Sequence, residues 1–571
     1  MTEENMEKFR DIEYKRPKAG RLVCTLLSYE KKFRKAASFE EADEIFMKFH
    51  ETAFEAATMY VTADIRNTMN TADAFYDREM KFFNTVLPML APVLKKCVGT
   101  LIKSRYRGEF EEKYGSHLFK NAEIQMSLFK AGIILPTVRE NNLSTRYSKT
   151  AAGCSVDFMG EKCNFYGLLR HMESTDRAER KAAFEEWAKL YESIAPQLEK
   201  QYGEFISVRL KIASKLSYGS YIDYAYKSRG RYDYTPADVA VFREAVRKYI
   251  TPLCESMYEE QRRSLGIDKL HWYDEKLVFP EGNAVPQGTT DELVEKAARM
   301  YADMSPETGE FFAFMKEHEL FDLETRENKH LGGYCTTLLG PKAPFIFSNF
   351  NGTSADVDVL THEAGHAFQF YYASRRLPVA ELAGSTSEIN EIHSMSMEHF
   401  AYPYMESFFG DKADKYRYSH FCSAFKSIPY LVAVDEYQHR VFENPSSGPA
   451  DWRVFWKEIE GKYMPWRDYD GNAFLESGGF WMQKQHIFLY PFYYIDYALA
   501  QLCAFYLYRL EVNGENALER YFNLCALGGK YGYFETLGRA GIPVPLSEEA
   551  VKNAADFVKE HSEVLKSRIT R

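Results

Sequence analysis

Two imidazoles and a carboxylate are spaced for metal chemistry in Thr361-His362-Glu363-Ala364-Gly365-His366, which carries the pattern His-Glu-x-x-His. On an α-helix, residues four apart return to nearly the same face. His362 and His366 can therefore offer two ring nitrogens to one metal ion while Glu363 sits beside them. A zinc metalloprotease begins its site this way. A third protein ligand from a second helix would complete a His, His, Glu set and leave one position for water. Glu391 and Glu388, one turn apart downstream, are the candidates. Zinc held by two neutral imidazoles and a carboxylate lowers the pKa of its bound water towards neutrality and polarises a scissile carbonyl. Glu363 would take the proton from that water and later deliver it to the leaving amine. Such a set would suit peptide-bond hydrolysis. Outside such a site Glu363 would be a surface glutamate and Glu391 part of a solvated helix face.

The elements that must hold these groups can be read on either side of the motif. Pro344 to Phe350 reads as a strand ended by the turn Asn351-Gly352. Thr353 with Asp356 matches a capping box, which places the histidines on the second and third turns of a new helix that buries Val357, Leu360, Ala364, Ala367 and Phe368. Ser385 with Glu388 starts a second helix presenting Glu391 and, two turns on, Glu398. Glu398 shares a face with Glu391 and is placed to accept the spare N–H of a ligand histidine; Asp358 is a weaker candidate for that task. His393 and His399 read as packing or helix-surface histidines. Charge developing on the substrate carbonyl needs donors facing the metal. His486 with Tyr490, Tyr494 and Tyr497 on one helical face offers them, although a tyrosine-rich stripe is also how a core packs in a chain with 40 tyrosines. Gly478-Gly479 would let the preceding loop close over substrate. The strand Phe345 to Phe350 is either plain core or a partner for an extended peptide.

Asn349-Phe350-Asn351-Gly352-Thr353, then His362-Glu363-x-Gly365-His366, then Glu391 with Glu398 seven residues later, resembles the thimet oligopeptidase and oligoendopeptidase F family of zinc peptidases, family M3. Ser155-Val156-Asp157-Phe158-Met159-Gly160-Glu161 and Ser174-Thr175-Asp176-Arg177 are similar to oligoendopeptidase F in style, so the resemblance runs from about residue 150 to the C-terminus. A metzincin would need Gly and His where this chain has Gln369 and Tyr372. The resemblance favours Glu391 over Glu388 as third ligand, leaving Glu388 to offset charge at the helix start. It also implies His486, Tyr490 and Tyr497 as catalytic donors, although this chain has one residue fewer between the histidine and the first tyrosine. An oligoendopeptidase F register would put Ile495 where a tyrosine is expected. Further implications are one Zn2+ per chain and a mainly α fold whose helical body encloses a deep substrate channel, with zinc at its floor. The expected activity is that of an endopeptidase cutting internal bonds of short unstructured oligopeptides. A dipeptidyl carboxypeptidase or a metallocarboxypeptidase would share the site, and a peptide-binding protein with a vestigial site is the rival from another class.

Composition sets outer limits. In 571 residues, 45% are hydrophobic and 27% charged, which excludes wholesale disorder and leaves a sizeable core. A formal charge of -10 and no Lys/Arg-dense segment argue against nucleic acid. Nine scattered cysteines, none in a Cys-x-x-Cys pair, suit a reducing compartment, and the polar start Met1 to Lys8 does not read as a signal peptide; a cytoplasmic location follows. The one stretch considered as a membrane span, His486 to Leu510, holds Pro491, Asp496, Gln501 and Arg509 and reads as a buried helix. Residues 1–150 read as an N-terminal helical region, with a break at Pro136 and the polar stretch Glu140 to Ala151. Residues 151–571 read as a zincin-like catalytic region. That region has a hairpin around Met159-Gly160, helices over Asp176 to Lys215, Pro236 to Leu265 and from a Thr289/Glu292 capping box, and extended segments at Leu270 to Asp274 and Leu277 to Phe279. A small sheet at about 329–350 completes it. Nothing in the sequence sets the oligomeric state.

Overall fold

The computed structural model describes residues 6–326 and 328–569, and helices account for most of them. The exceptions are two small sheets. Val156–Phe158 (β1) and Glu161–Cys163 (β2) form the expected antiparallel hairpin, with Val156 opposite Cys163 and Phe158 opposite Glu161. Its turn residues Met159 and Gly160 take φ of 50° and 87°, the two left-handed conformations that match a two-residue turn to the twist of its strands. Phe321–Glu324 (β3), Tyr334–Leu338 (β4) and Ala343–Phe350 (β5) make the second sheet in the order β3-β5-β4. Here β3 runs parallel and β4 antiparallel to β5. The sheet therefore begins earlier than 329, because the four-residue alternation Phe321-Asp322-Leu323-Glu324 supplies an extra strand. β5 is the central strand and nearly all buried, so both its edges are already paired. The expectation that Phe345 to Phe350 pairs with a peptide is thereby corrected: the edge left for it belongs to β4.

The N-terminal residues form the helices Ala19–Phe33, Phe39–Met69, Ala74–Ile102, Arg107–Tyr114, Ser116–Ser127 and Ile134–Ala152. The last of these runs through Glu140 to Ala151, where a break was expected. Leu143 and Tyr147, four apart, bury one face of it, and Arg209 Nε donates to Glu140 Oε1 at 2.8 Å. Helix Arg177–Lys215, with Asp176 as its cap, and helix Thr290–Met304, with its Thr289/Glu292 capping box, start where the sequence places them. The segment Leu270 to Phe279 is not extended. The buried Asp274 carboxylate draws in Arg177 and Arg180 at 2.9 and 2.8 Å and accepts the His271 N–H at 3.1 Å, which winds Trp272–Asp274 into a 3₁₀ turn.

His486 to Leu510 is not one helix either: Gln485–Leu489 ends before Pro491 and a new helix covers Tyr494–Val512. Among the described residues the helix long and apolar enough to cross a membrane is Ala74–Ile102, which carries Pro88 and Pro92 inside it. It borders a cavity of about 800 Å³ walled by apolar side chains, including Phe46, Tyr60, Leu90, Leu339 and Leu382. Phe39–Met69 ties the N-terminal helices to the sheet, since Thr68 Oγ1 lies 2.6 Å from the Tyr334 hydroxyl and Thr58 Oγ1 accepts the Gly340 N–H at 3.0 Å. A buried cluster of Phe46, Phe110, Phe119, Phe370, Leu377 and Leu382 joins those helices to the end of the His-Glu-x-x-His helix.

Candidate metal centre

The helix Ala355–Ser374 carries the motif and starts differently from the expected capping box. Thr353 Oγ1 donates to Asn351 Oδ1 at 2.7 Å, while the Asp356 carboxylate accepts the N–H groups of Asn351 and Gly352 at 2.9 and 2.8 Å. The Asn-Gly turn consumes both capping groups, so the helix begins at Ala355, one residue later than that box would start it, and carries the two histidines four residues apart on one face. The helix Ser387–Phe400 likewise starts without a side-chain cap, and the Ser385 hydroxyl has no hydrogen-bond partner. What brings the two helices together is Gly365. A Cβ there would lie 2.6 Å from both His393 O and Ser394 Cα, so the backbones touch at this position. Across that contact Glu391 Oε2 sits 3.4 Å from His362 Nε2 and 3.5 Å from His366 Nε2, and the three ligand atoms lie within 4.8 Å of one another.

Behind the pair, Glu398 Oε1 is 2.5 Å from His362 Nδ1, and Glu398 Oε2 is 2.9 Å from His420 Nε2, whose Nδ1 meets the Tyr402 hydroxyl at 2.7 Å. The Glu398 contact leaves the Nε2 lone pair of His362 directed at the centre. Asp358 does not reach a ligand histidine; it accepts from the Tyr416 hydroxyl at 2.7 Å and stands 3.9 Å from His420 Nε2. Burial works to raise the Glu398 pKa, but hydrogen bonds from His362 and His420 outweigh it and bring it to about 2. Burial is likewise outweighed at Glu391, whose carboxyl is held low by His366 and His362. At Glu363 burial prevails and the pKa is raised. Two buried carboxylates, Glu363 and Glu391, and the half-buried Glu398 thus face the imidazoles of His362, His366 and His420, and none of the three has a lysine or arginine within 4 Å among the described ion pairs. Such a centre calls for a cation, and its N, N, O donor set with one side open fits tetrahedral Zn2+.

The segment after the glycine-rich loop departs from the expected single helical face. Pro491 ends the first helix and Phe492 takes φ 60°, with its N–H donated to Gln438 Oε1 at 3.0 Å. Tyr490 is left between helices, 52% exposed. Tyr493 is brought inward instead, and its hydroxyl donates to Glu391 Oε1. Sequence reasoning passed over Tyr493, although its spacing of seven residues after His486 and four before Tyr497 already puts it on their helical face. His486 lies among Tyr494, Tyr490, Tyr493 and Tyr497 at ring distances of 4.8, 5.7, 5.9 and 6.0 Å. Burial and the Lys484 charge push its pKa down to about 3, so the ring is neutral. Burial and then the Glu391 charge raise Tyr497 well above 10, so it keeps its proton. Glu388 accepts from the Tyr234 hydroxyl and stands 3.5 Å from Arg231, in a buried cluster apart from the two histidines. Gly478 is not a hinge: a Cβ there would lie 2.1 Å from Arg453 O, so it serves close packing.

Residues 170–555 match Peptidase family M3, and residues 9–129 match the Peptidase M3 N-terminal domain. The chain belongs to peptidase family M3. Two solved structures, one described as an oligoendopeptidase F and one as Pz peptidase A with an inhibitor, are each 40% identical to this M3 peptidase with a TM-score of 0.95. Each comparison covers 98% of this chain and 99% of the other. The chromosomal oligoendopeptidase F of Lactococcus lactis subsp. cremoris is 22% identical over 404 residues, 67% of this chain and 63% of that protein, so less than two thirds of that relative is spanned. The M3 peptidase is thus oligoendopeptidase F-like and mainly α, as the sequence motifs implied. Its remaining helix histidines serve packing: His399 stacks on Tyr508 at 4.9 Å, and His393 is fully buried.

Proposed function

We propose that this M3 peptidase is a zinc-dependent endopeptidase that hydrolyses internal bonds of short, unstructured oligopeptides. The observation that carries the reading is the convergence of His362, His366 and Glu391 beside a buried Glu363 that has no cationic side chain paired with it. When bound there, Zn2+ supplies a Lewis acid that polarises a carbonyl and acidifies water. Glu363, with its pKa raised by burial, accepts the proton of the attacking water and passes it to the leaving amine. Neutral His486 and protonated Tyr497 donate hydrogen bonds to the oxygen of the tetrahedral intermediate, and Tyr490, exposed and with its ring 5.7 Å from that of His486, joins them when substrate is bound. Tyr493 holds Glu391 in place through its second oxygen.

The peptide is held along the free edge of β4. Gly333 immediately precedes that edge, and a Cβ there would lie 3.7 Å from Glu363 Oε1, so a backbone paired along β4 runs towards the proton acceptor. Main-chain pairing of this kind gives affinity with little sequence demand. In this reading residues 151–571 carry the chemistry and the helical residues 1–150 cover the cleft. The nine cysteines are free, in keeping with a cytoplasmic location, and the acidic charge offers nucleic acid no basic face.

Metal analysis combined with mass-spectrometric mapping of cuts in a graded set of peptides, with free and amidated C-termini, tests the proposal. Internal cuts that tolerate amidation are expected. Cuts confined to one or two residues from a free C-terminus would favour a carboxypeptidase, and a zinc-loaded protein that leaves every peptide whole would overturn the enzyme reading.

A further inference from the structure

We propose that Glu161, Cys163 and His171 form a second cation site, for a thiophilic divalent ion of the Zn2+ class, separate from the His362/His366/Glu391 centre. The alternation of β2 puts Glu161 and Cys163 on the same face of the strand. Asn164 then caps the helix Phe165–His171, its side chain accepting the N–H groups of Tyr166 and Gly167 at 3.0 Å each, and turns the chain so that His171 returns over the strand. Gly167 permits the approach, since a Cβ there would lie 3.2 Å from Cys163 Sγ. One ligand atom from each of the three residues lies within 4.8 Å of the others.

The state of the imidazole is what points to a ligand. His171 Nδ1 is 2.6 Å from Glu179 Oε1, and the other Glu179 oxygen accepts from the Ser174 hydroxyl at 2.7 Å. The carboxylate is thus fixed and accepts the hydrogen bond of the Nδ1–H, which leaves the Nε2 lone pair unused. That nitrogen is buried with no hydrogen-bond partner. A buried acceptor without a donor is costly, and a cation on the Cys163 side would satisfy it. The arrangement repeats that of His362 with Glu398, in which a carboxylate on one nitrogen aims the other. Cys163 is 3% exposed, and Glu161 spends one oxygen on Arg170, leaving the other free.

A sulfur, a nitrogen and an oxygen donor select Zn2+ or a similar ion over Mg2+ or Ca2+, which prefer oxygen alone. Binding would convert Cys163–SH to a thiolate–metal bond and release its proton to solvent, with no change of oxidation state. Water would take the fourth position, on the solvent side where Glu161 is exposed. The ion would fasten the hairpin to the helix that carries Tyr166, a side chain close enough to Lys484 and Tyr494 to feel their charges.

Titration of the metal-free full-length protein with Co2+ tests the site, because a thiolate ligand gives a near-ultraviolet charge-transfer band that a His, His, Glu centre cannot. Two equivalents and the band are expected. Cys163→Ser should remove the band and one equivalent while peptide hydrolysis persists, and His171→Gln should do the same with Cys163 intact, which guards against loss through misfolding of either variant. A stoichiometry of one without the band, or a band that survives Cys163→Ser, overturns the proposal.

Discussion

Glu363 is the residue on which turnover should depend most. Its burial keeps the carboxyl a better proton acceptor than a surface glutamate, and the metal ligands do not require it. Glu363→Gln should therefore retain zinc while kcat falls about 10³-fold, the scale of a positioned general base; unchanged kcat would remove it from that role. Tyr493 and Tyr497 should separate cleanly. Tyr493→Phe frees one oxygen of Glu391 and should weaken zinc binding about tenfold, whereas Tyr497→Phe should lower kcat with zinc content unchanged. Competition with a chelator and steady-state kinetics on both variants would show an exchange of these effects if the assignment is reversed. His362, Glu363 and His366 were legible in the sequence because helix periodicity alone fixes the i, i+4 pair. Glu391 needed a second helix to be docked, and Tyr493 could be singled out from its neighbouring tyrosines only once that docking put Glu391 against its hydroxyl.

Between elements, the contact at Gly365 decides whether the third ligand arrives. With backbone atoms 2.6 Å from where a Cβ would stand, Gly365→Ala must push helix Ser387–Phe400 away. A loss of about 2 kcal/mol in stability is expected, with weaker zinc binding because Glu391 retreats from both histidines. Thermal denaturation of the metal-free variant beside zinc titration would detect both, and a wild-type Tm would mean that the helices can slide without strain. Caps show why some element boundaries were readable and others not. Thr289 and Glu292 bond only to each other's backbone, so the local rule holds. Thr353 and Asp356 are claimed by the Asn351-Gly352 turn, which must deliver the chain from β5 into the motif helix. The strand β5 was recognisable from its apolar run, but its place in the centre of the sheet depended on β3, whose four residues carry little signal.

At the scale of the whole molecule, helical packing buries an unusual set of neutral histidines. His393, His399 and His486 are pushed down to about 3, and His117, His439 and His561 to about 4, in each case chiefly by burial. The same rings take a proton near 6.5 once unfolded. Between those limits these rings bind more protons in the unfolded chain, so their contribution to stability falls as pH falls from about 6.5 to about 4. Glu391 and Glu398, held below 4.5 in the fold, extend the loss in the same direction at lower pH. His362 and His420 work against it in the metal-free protein, because burial is outweighed there by neighbouring carboxylates and their pKa values are raised, and so do Asp64, Asp356 and Asp358, which burial raises to about 6, and Glu511, raised to about 7. Because the two sets oppose each other, the histidine share is read by difference: His117→Gln, which removes one lowered ring, should make the change in Tm of the metal-free protein between pH 6.5 and 4.5 more favourable than in the parent. Calorimetry at the two pH values would show it, and a variant whose Tm change matches the parent's would mean that this ring reaches water before the protein unfolds.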